Sequence, residues 1–234
     1  MLLPISQTQS ITSPSKRAKM ISILDDKLWF PLPHNAMEDG LLAIGGDIST
    51  ARLLLAYRNG IFPWYNDDIP LWWHPNPRFV LFPNELKISK TMKQVLDRNT
   101  FVFKTNTAFK EIITQCKNID RKEQDGTWIN NNIIESYTQL HLQGYAHSAE
   151  AWLNGKLVGG LYGIKIGNVF FGESMFSHTS NASKFAFIKY VQQLMDEGTV
   201  LIDCQIYTQH LESLGAKMIL RADFIKLLEE HISS

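Results

Sequence analysis

Cysteine is nearly absent from this 234-residue chain, which carries only Cys116 and Cys204. The two stand far apart in apolar surroundings, which excludes a disulfide framework and suits reduced thiols in a cytoplasmic setting. The seven histidines are scattered and none forms a Cys/His cluster with ligand spacing, so no metal is expected. Net charge is missing as well: 23 basic residues face 23 acidic ones. A nucleic-acid partner would therefore have to be met by a local patch rather than by the field of the whole molecule. No apolar run approaches the ~20 residues of a membrane span, so no membrane partner is expected. What remains is a globular composition, 44% hydrophobic and 11% aromatic, with ample material for a core.

The opening stretch, "MLLPISQTQSITSPSKRAKM", holds no acid and ends in Lys16, Arg17 and Lys19. A transit peptide shares that composition, but these basic residues are few and clustered without an amphipathic pattern, so residues 1–20 read as a disordered tail. Residues 21–78 are expected to form a small N-terminal domain and linker. Within it "GLLAIGGDIS" is a short apolar run, and "STARLLLAYRNGIFPW" is a helix with a Ser or Thr N-cap and a stop at Gly60. The stretch "PWYNDDIPLWWHPNPRFVLFP" packs five prolines and three tryptophans together, reads as irregular, and marks the domain boundary.

Residues 79–234 are expected to form the catalytic domain. "ISKTMKQVLDRN" and "TAFKEIITQCKN" read as amphipathic helices around a short strand, "TFVFKT", and "NNIIESYTQLHLQG" as a third helix. "AHSAEAWL", "KLVGGLYGIKI" and "VFFGESMF", joined by Asn-Gly and Gly-Asn turns, predict an antiparallel meander. "SNASKFAFIKYVQQLMDEG" is a crossover helix N-capped by Ser180 or Asn181. It leads into "VLIDCQI", a strand expected to run parallel to its predecessor, and "TQHLESLGAKMI" adds a helix and a strand.

That order resembles an N-acyltransferase fold of the acetyltransferase type, an α+β architecture with a mixed, mostly antiparallel sheet. Fold alone does not supply chemistry. Enzymes that use acyl-CoA usually seat its pyrophosphate on a glycine-rich turn before the crossover helix. Here the turn, "FSHTSNASK", has no glycine.

The strand "VLIDCQI" carries an anomaly. Side chains alternate along a strand, so Leu201, Asp203 and Gln205 share one face and Val200, Ile202, Cys204 and Ile206 the other. Asp203 and Gln205 make one face of a core strand polar; strand-end capping is the plain explanation, and a site is the other.

The blocks "GIFPWY", "LWWHPNPR", "GTWI", "HSAEAW", "GGLYG", "FFGESMFS", "NASKFA", "LIDCQ" and "SLGA" stand in order from about Leu41 to Asp223. In these the chain resembles the leucyl/phenylalanyl-tRNA-protein transferases. The resemblance implies transfer of Leu or Phe, and less well Met, from leucyl-tRNA or phenylalanyl-tRNA to the α-amine of proteins beginning with Arg or Lys, creating a degradation signal. It implies no coenzyme A or other cofactor, and a monomer is expected.

It also implies site roles. Gln205 accepts a hydrogen bond from the attacking amine, while Asp203 orients its carboxamide and stabilises developing ammonium. Glu173 holds the donor α-amino group. Phe170 belongs to the same site, although alternation sets it opposite Glu173, and a bulge at Gly172 would reconcile them. Trp64, Trp128 and Tyr137 lie near the terminal adenosine. Leu161, Met175, Tyr190, Leu194 and Ile202 are candidates for the donor slot, each equally explained as core. Lys87, Lys90 and Lys93 fit both a solvated helix face and a surface for the acceptor stem. An acyl-CoA-dependent N-acetyltransferase and a noncatalytic aminoacyl-tRNA binding module remain alternatives.

Overall fold

A computed structural model describes residues 20–66, 68–119 and 128–232. The expected N-terminal tail therefore lies, save for Met20, outside the described residues. A first unit contains β1 (Ser22–Leu24), β2 (Leu41–Gly45), α1 (Thr50–Arg58), β3 (Phe62–Pro63) and β4 (Leu71–Trp73). Its four-stranded sheet has the order β1-β2-β4-β3. Helix α1 begins where Ser49 Oγ accepts from Arg52 N at 3.3 Å. It stops at Gly60, whose φ is +67° and where an added Cβ would lie 2.5 Å from the Phe224 ring. Only glycine allows both that turn and that approach.

The second unit runs through β5 (Arg78–Leu81), α2 (Lys90–Asp97), β6 (Val102–Thr105), α3 (Phe109–Asn118), α4 (Asn131–Leu142), β7 (Ala146–Leu153), β8 (Lys156–Ile166) and β9 (Val169–Ser177). It continues with α5 (Ala182–Asp196), β10 (Leu201–Gln205), α6 (Gln209–Glu212), β11 (Lys217–Ile219) and α7 (Arg221–His231). The seven strands order as β11-β5-β10-β9-β8-β7-β6. Strands β9 and β10 pair in parallel, and the other pairs of this sheet are antiparallel. The protein is thus α+β with a mixed, mostly antiparallel main sheet, and the meander and parallel crossover stand as the turn and helix signals predict.

Apolar residues alternate across the sheet into two core clusters. Phe171 and Leu201 join the cluster beneath α3, α4 and α7, while Phe170 and Ile202 join the one beneath α5. The first cluster also takes in Leu42, Leu53 and Trp72 from the N-terminal unit, so one core runs beneath both sheets.

Two local expectations are corrected. The proline-rich stretch is not irregular: it contains the end of β3, all of β4 and all of β5. Its prolines sit on the outer strand β3 or between strands, where no ladder donor is needed. Arg78, the last residue of the expected linker, already opens β5. At the start of α5, Asn181 holds the N-cap position with φ +67°, but its side chain does not cap. Ser177 Oγ instead accepts from Ser183 N at 3.3 Å.

Candidate active site

The cleft arises where β9 and β10 part. Their parallel pairing ends at Asp203 opposite Phe171, and both strands are irregular just beyond. On β9, Gly163 faces Gly172 and Tyr162 faces Ser174, which leaves Glu173 as an extra residue. On β10, Asp203 faces Val80 and Gln205 faces Phe79, which leaves Cys204 extra, and Gln205 adopts φ +65°. Bulges bend a strand and re-aim its side chains. Here they open a cavity of about 370 Å³ between the two strand ends.

The cavity has two sides. Trp64, Trp128, Phe62 and Tyr162 line it from the first core cluster or from residues packed on it, and Phe187, Ile202, Cys204, Met175 and Leu211 line it from the second. Glu173 and Gln205 lie between them, and Gln205 Nε2 donates to Glu173 Oε1 at 2.9 Å. The Gln205 carbonyl oxygen thereby keeps its acceptor capacity for a ligand.

Glu173 is held from behind by two phenols. Tyr57 OH donates to its Oε1 at 2.7 Å, and the single proton of Tyr137 OH is shared between Tyr57 OH, with which it makes a short hydrogen bond, and Glu173 Oε2 at 3.3 Å. Burial, reinforced by the nearby Asp203 charge, raises the Glu173 carboxyl from 4.5 to about 7, against the lowering effect of the bonds from Tyr57, Gln205 and Tyr137. Burial, with Glu173 beside them, also lifts both phenols well above their ordinary range, so they remain protonated donors.

Asp203 is engaged elsewhere than its expected role requires. Arg78 Nε donates to its Oδ1 at 2.8 Å and Arg78 Nη2 to its Oδ2 at 2.6 Å, with both side chains fully buried. Its Oδ1 also accepts from Gln205 N at 2.9 Å. Asp203 therefore orients Gln205 through the backbone amide, not through the carboxamide, and its charge is compensated by Arg78. The Arg78 guanidinium is stacked between Phe62 and Phe224, 4.7 Å from each ring centre.

Seven of the twelve catalytic and substrate-binding candidates line the cavity: Asp203, Gln205, Glu173, Trp64, Trp128, Met175 and Ile202. Phe170, Tyr137, Leu161, Tyr190 and Leu194 do not. Phe170 is fully buried, edge-on to Tyr190 at 5.2 Å. The bulge falls on Glu173 itself and changes the alternation only after it, so Met175, not Glu173, returns to the Phe170 side. Tyr137 is fully buried behind Glu173 and edge-on to Tyr162 at 5.7 Å, which closes it to stacking on a base. Leu161 pairs with Met175 one strand further back, and Tyr190 and Leu194 pack under the sheet beyond Phe187, which reaches the cavity.

Reasoning from sequence did not place Tyr57, Arg78, Phe187, Leu211 and His210 at the site. Arg78 had a usable signal: a buried Asp in a core strand requires a cation. Tyr57 had a weaker one, a hydroxyl on the apolar side of α1 that needs a partner. His210 lines the cavity with its Nε2 buried and unpaired, and burial, then Lys184, lowers its pKa. Lys87, Lys90 and Lys93 are exposed and form no ion pair among the described residues. Lys87 N donates to Leu214 O at 2.9 Å, which ties its loop to the end of α6. Among the described residues there is no group of three His, Cys, Asp or Glu able to hold a metal, and no helix is long and apolar enough to cross a membrane.

The candidate site is thus a cleft where parallel strands part, with a hydrogen-bonded carboxamide and carboxyl between its two sides and an apolar slot beside them. The family described as leucyl/phenylalanyl-tRNA protein transferase matches residues 80–229, and its N-terminal domain matches residues 46–76. A leucyl/phenylalanyl-tRNA–protein transferase of Christiangramia forsetii is 56% identical over 85% of this chain and 95% of its own length. Those of Flavobacterium johnsoniae and Syntrophobacter fumaroxidans are 53% and 51% identical, over 86% and 89% of this chain and 96% and 90% of theirs. Among solved structures, a GCN5-related N-acetyltransferase from Kribbella flavida overlaps loosely, at 10% identity and a TM-score of 0.38, over 70% of this chain and 59% of that one. The chain belongs to the leucyl/phenylalanyl-tRNA protein transferase family and is an aminoacyltransferase.

Proposed function

We propose that the enzyme transfers Leu or Phe, and less well Met, from leucyl-tRNA or phenylalanyl-tRNA to the N-terminal α-amine of proteins that begin with Arg or Lys, creating a degradation signal. The observation that carries this reading is the Glu173–Gln205 pair at the floor of a cleft with tryptophans on one side and an apolar slot on the other. The tRNA's terminal adenosine stacks on Trp64 and Trp128, where each base–aromatic contact is worth about 1–3 kcal/mol. The donor side chain enters the slot of Met175, Phe187, Ile202 and Leu211.

Ionised Glu173 receives the donor's α-ammonium, a charge-assisted contact. The acceptor's neutral amine donates a hydrogen bond to Gln205 Oε1, which directs its lone pair at the ester carbonyl. A carboxamide is too weak a base to take the proton, so Gln205 positions and does not deprotonate. As the C–N bond forms and the ester C–O bond breaks, the amine's surplus proton passes to the departing ribose oxygen. The buried Arg78–Asp203 pair holds the Gln205 turn throughout. The extent of Lys87, Lys90 and Lys93 on and just before α2 supports a contact with acceptor-stem phosphates.

The test is transfer of labelled Leu from leucyl-tRNA to peptides that differ only in residue 1. Lys- and Arg-initiated peptides are expected to be labelled and an Ala-initiated one far less. Equal labelling of all three would overturn the acceptor specificity, and tight binding of coenzyme A would revive acetyl transfer.

A further inference from the structure

Gln205 stands at one end of a run of contacts whose other end is the last helix. We propose that Arg221, the first residue of α7, is a positioning residue for transfer: it holds the segment that carries Arg78, and through Arg78 it holds Asp203 and the Gln205 turn. This role rests on the reading of Gln205 proposed above.

The contacts are continuous. Arg221 Nη2 donates to His74 O at 2.8 Å, and Arg221 N donates to Asn76 Oδ1 at 2.9 Å. One residue thus pins two points of the segment that delivers Arg78 into β5. One turn further along α7, the Phe224 ring lies 4.7 Å from the Arg78 guanidinium and Phe62 lies equally close to it. A planar guanidinium between two rings keeps a narrow range of orientations, and its fork meets both oxygens of Asp203. His74, fully buried and edge-on to Phe224, has both ring nitrogens unpaired. Burial and the neighbouring Arg78 and Arg221 hold it neutral at a pKa of about 3, so it places no third positive charge in the cluster.

A purely structural role would have Arg221 anchoring α7 to the core, but Phe224 and Leu228, 0% and 3% exposed, already do so. Both hydrogen bonds of Arg221 go instead to the 74–76 segment. The bond from Arg221 N to Asn76 Oδ1 also satisfies the first free amide of α7, so the part special to the side chain is the bond from Nη2 to His74 O. The backbone of Arg78 pairs with Ile219 of β11, which fixes the strand but leaves the guanidinium to its neighbours.

The experiment compares Arg221→Ala, Arg221→Lys and Leu228→Ala for transfer kinetics, melting temperature and exchange of the Arg78 Nε–H by 15N NMR. Arg221→Ala is expected to lower kcat about tenfold to a hundredfold, since small misplacements remote from the chemistry have effects of that order. KM for leucyl-tRNA should stay within about twofold, and the Arg78 Nε–H should exchange faster. Both Arg221 variants keep the backbone bond to Asn76; Arg221→Lys also keeps a terminal cation able to donate towards His74 O and should recover part of kcat. Leu228→Ala should lower the melting temperature at least as much and leave kcat of the folded enzyme unchanged. Should Arg221→Ala not fold, the same kcat and exchange readouts on Arg221→Lys decide the matter. Unaltered Arg78 exchange, or a kcat loss that Leu228→Ala reproduces, overturns the proposal. If Gln205→Ala slows transfer but the Arg221 variants do not, this proposal alone fails. If Gln205→Ala leaves kcat unchanged, the reading of Gln205 fails and this proposal with it.

Discussion

Replacing Asp203 by Asn separates two roles that the fold assigns to one side chain. In the native protein its carboxylate and the Arg78 guanidinium are both fully buried and joined by two hydrogen bonds. Asn is nearly the same shape and can still accept from Gln205 N, but it leaves the Arg78 charge uncompensated. Removing one partner of such a pair costs about 3–5 kcal/mol. The faces of Phe62 and Phe224 offset part of this, each cation–π contact being worth about 0.5–2 kcal/mol. A net loss of about 3 kcal/mol is expected, a large share of a stability that is typically about 5–15 kcal/mol. Urea unfolding should show it as a lower midpoint with an unchanged slope.

The companion variant removes the charges together. Arg78→Met with Asp203→Leu exchanges the ion pair for apolar volume, which is often neutral or stabilising, so the midpoint should return close to the native one. The rate should not return, because Gln205 N has lost its acceptor and its φ of +65° is no longer held from that side. Single-turnover transfer from leucyl-tRNA, measured where each variant is folded, reads this directly. A double variant that regains both stability and rate would refute the positioning role and leave Asp203 as a stability element alone.

Other outcomes follow from the same geometry. The Glu173 carboxyl, raised from 4.5 to about 7, is mostly protonated below that pH, so leucyl-tRNA binding should tighten as pH rises through about 7; a Glu173→Gln variant with the same pH dependence would remove Glu173 from the donor's amine. Because this folded pKa lies above the unfolded one, the native protein should lose stability relative to Glu173→Gln as pH climbs from 4.5 towards 7. Charge reversal of Lys87, Lys90 and Lys93 should weaken tRNA binding and flatten its logarithmic salt slope by about 2–3 if each lysine meets one phosphate; an unchanged slope returns them to a solvated surface. Met175→Ala should reduce Leu transfer more than Phe transfer, since the smaller donor leaves the larger void; an unchanged ratio of kcat/KM for the two donors would place Met175 outside the slot.

Much of the fold is legible because its signals are local. Asn154–Gly155 and Gly167–Asn168 sit where the meander turns, and the long helices announce themselves by apolar spacing. The strands of the proline-rich stretch announce nothing, because β3, β4 and β5 have two to four residues each, too few for a period to show. The partners of β5 are β10 and β11, more than a hundred positions away in sequence. Its place between β11 and β10, one strand in from the edge of the sheet, is fixed by long-range pairing and by the burial of its Arg78, neither of which leaves a trace in neighbouring residues.

The site divides along the same line. Glu173 and Gln205 stand out as polar residues in apolar strands, and Trp64 and Trp128 through the family's blocks. All four line the one cavity. Phe170 and Tyr137 come to the site through the resemblance alone, and both are buried in the core: Phe170 lies on the side of the sheet opposite Glu173, as alternation has it, and Tyr137 stands on α4 behind Glu173. Bulges on both strands bring a carboxyl and a carboxamide to one cavity, and the register beyond each bulge is what periodic reasoning cannot follow. The Arg78–Asp203 pair, 125 positions apart, shows what can be followed instead. A carboxylate in a buried strand demands a cation of fixed geometry, and an Arg that opens the run "RFVL" is a candidate to supply it. The demand can be read from Asp203 alone, whereas its fulfilment requires the fold.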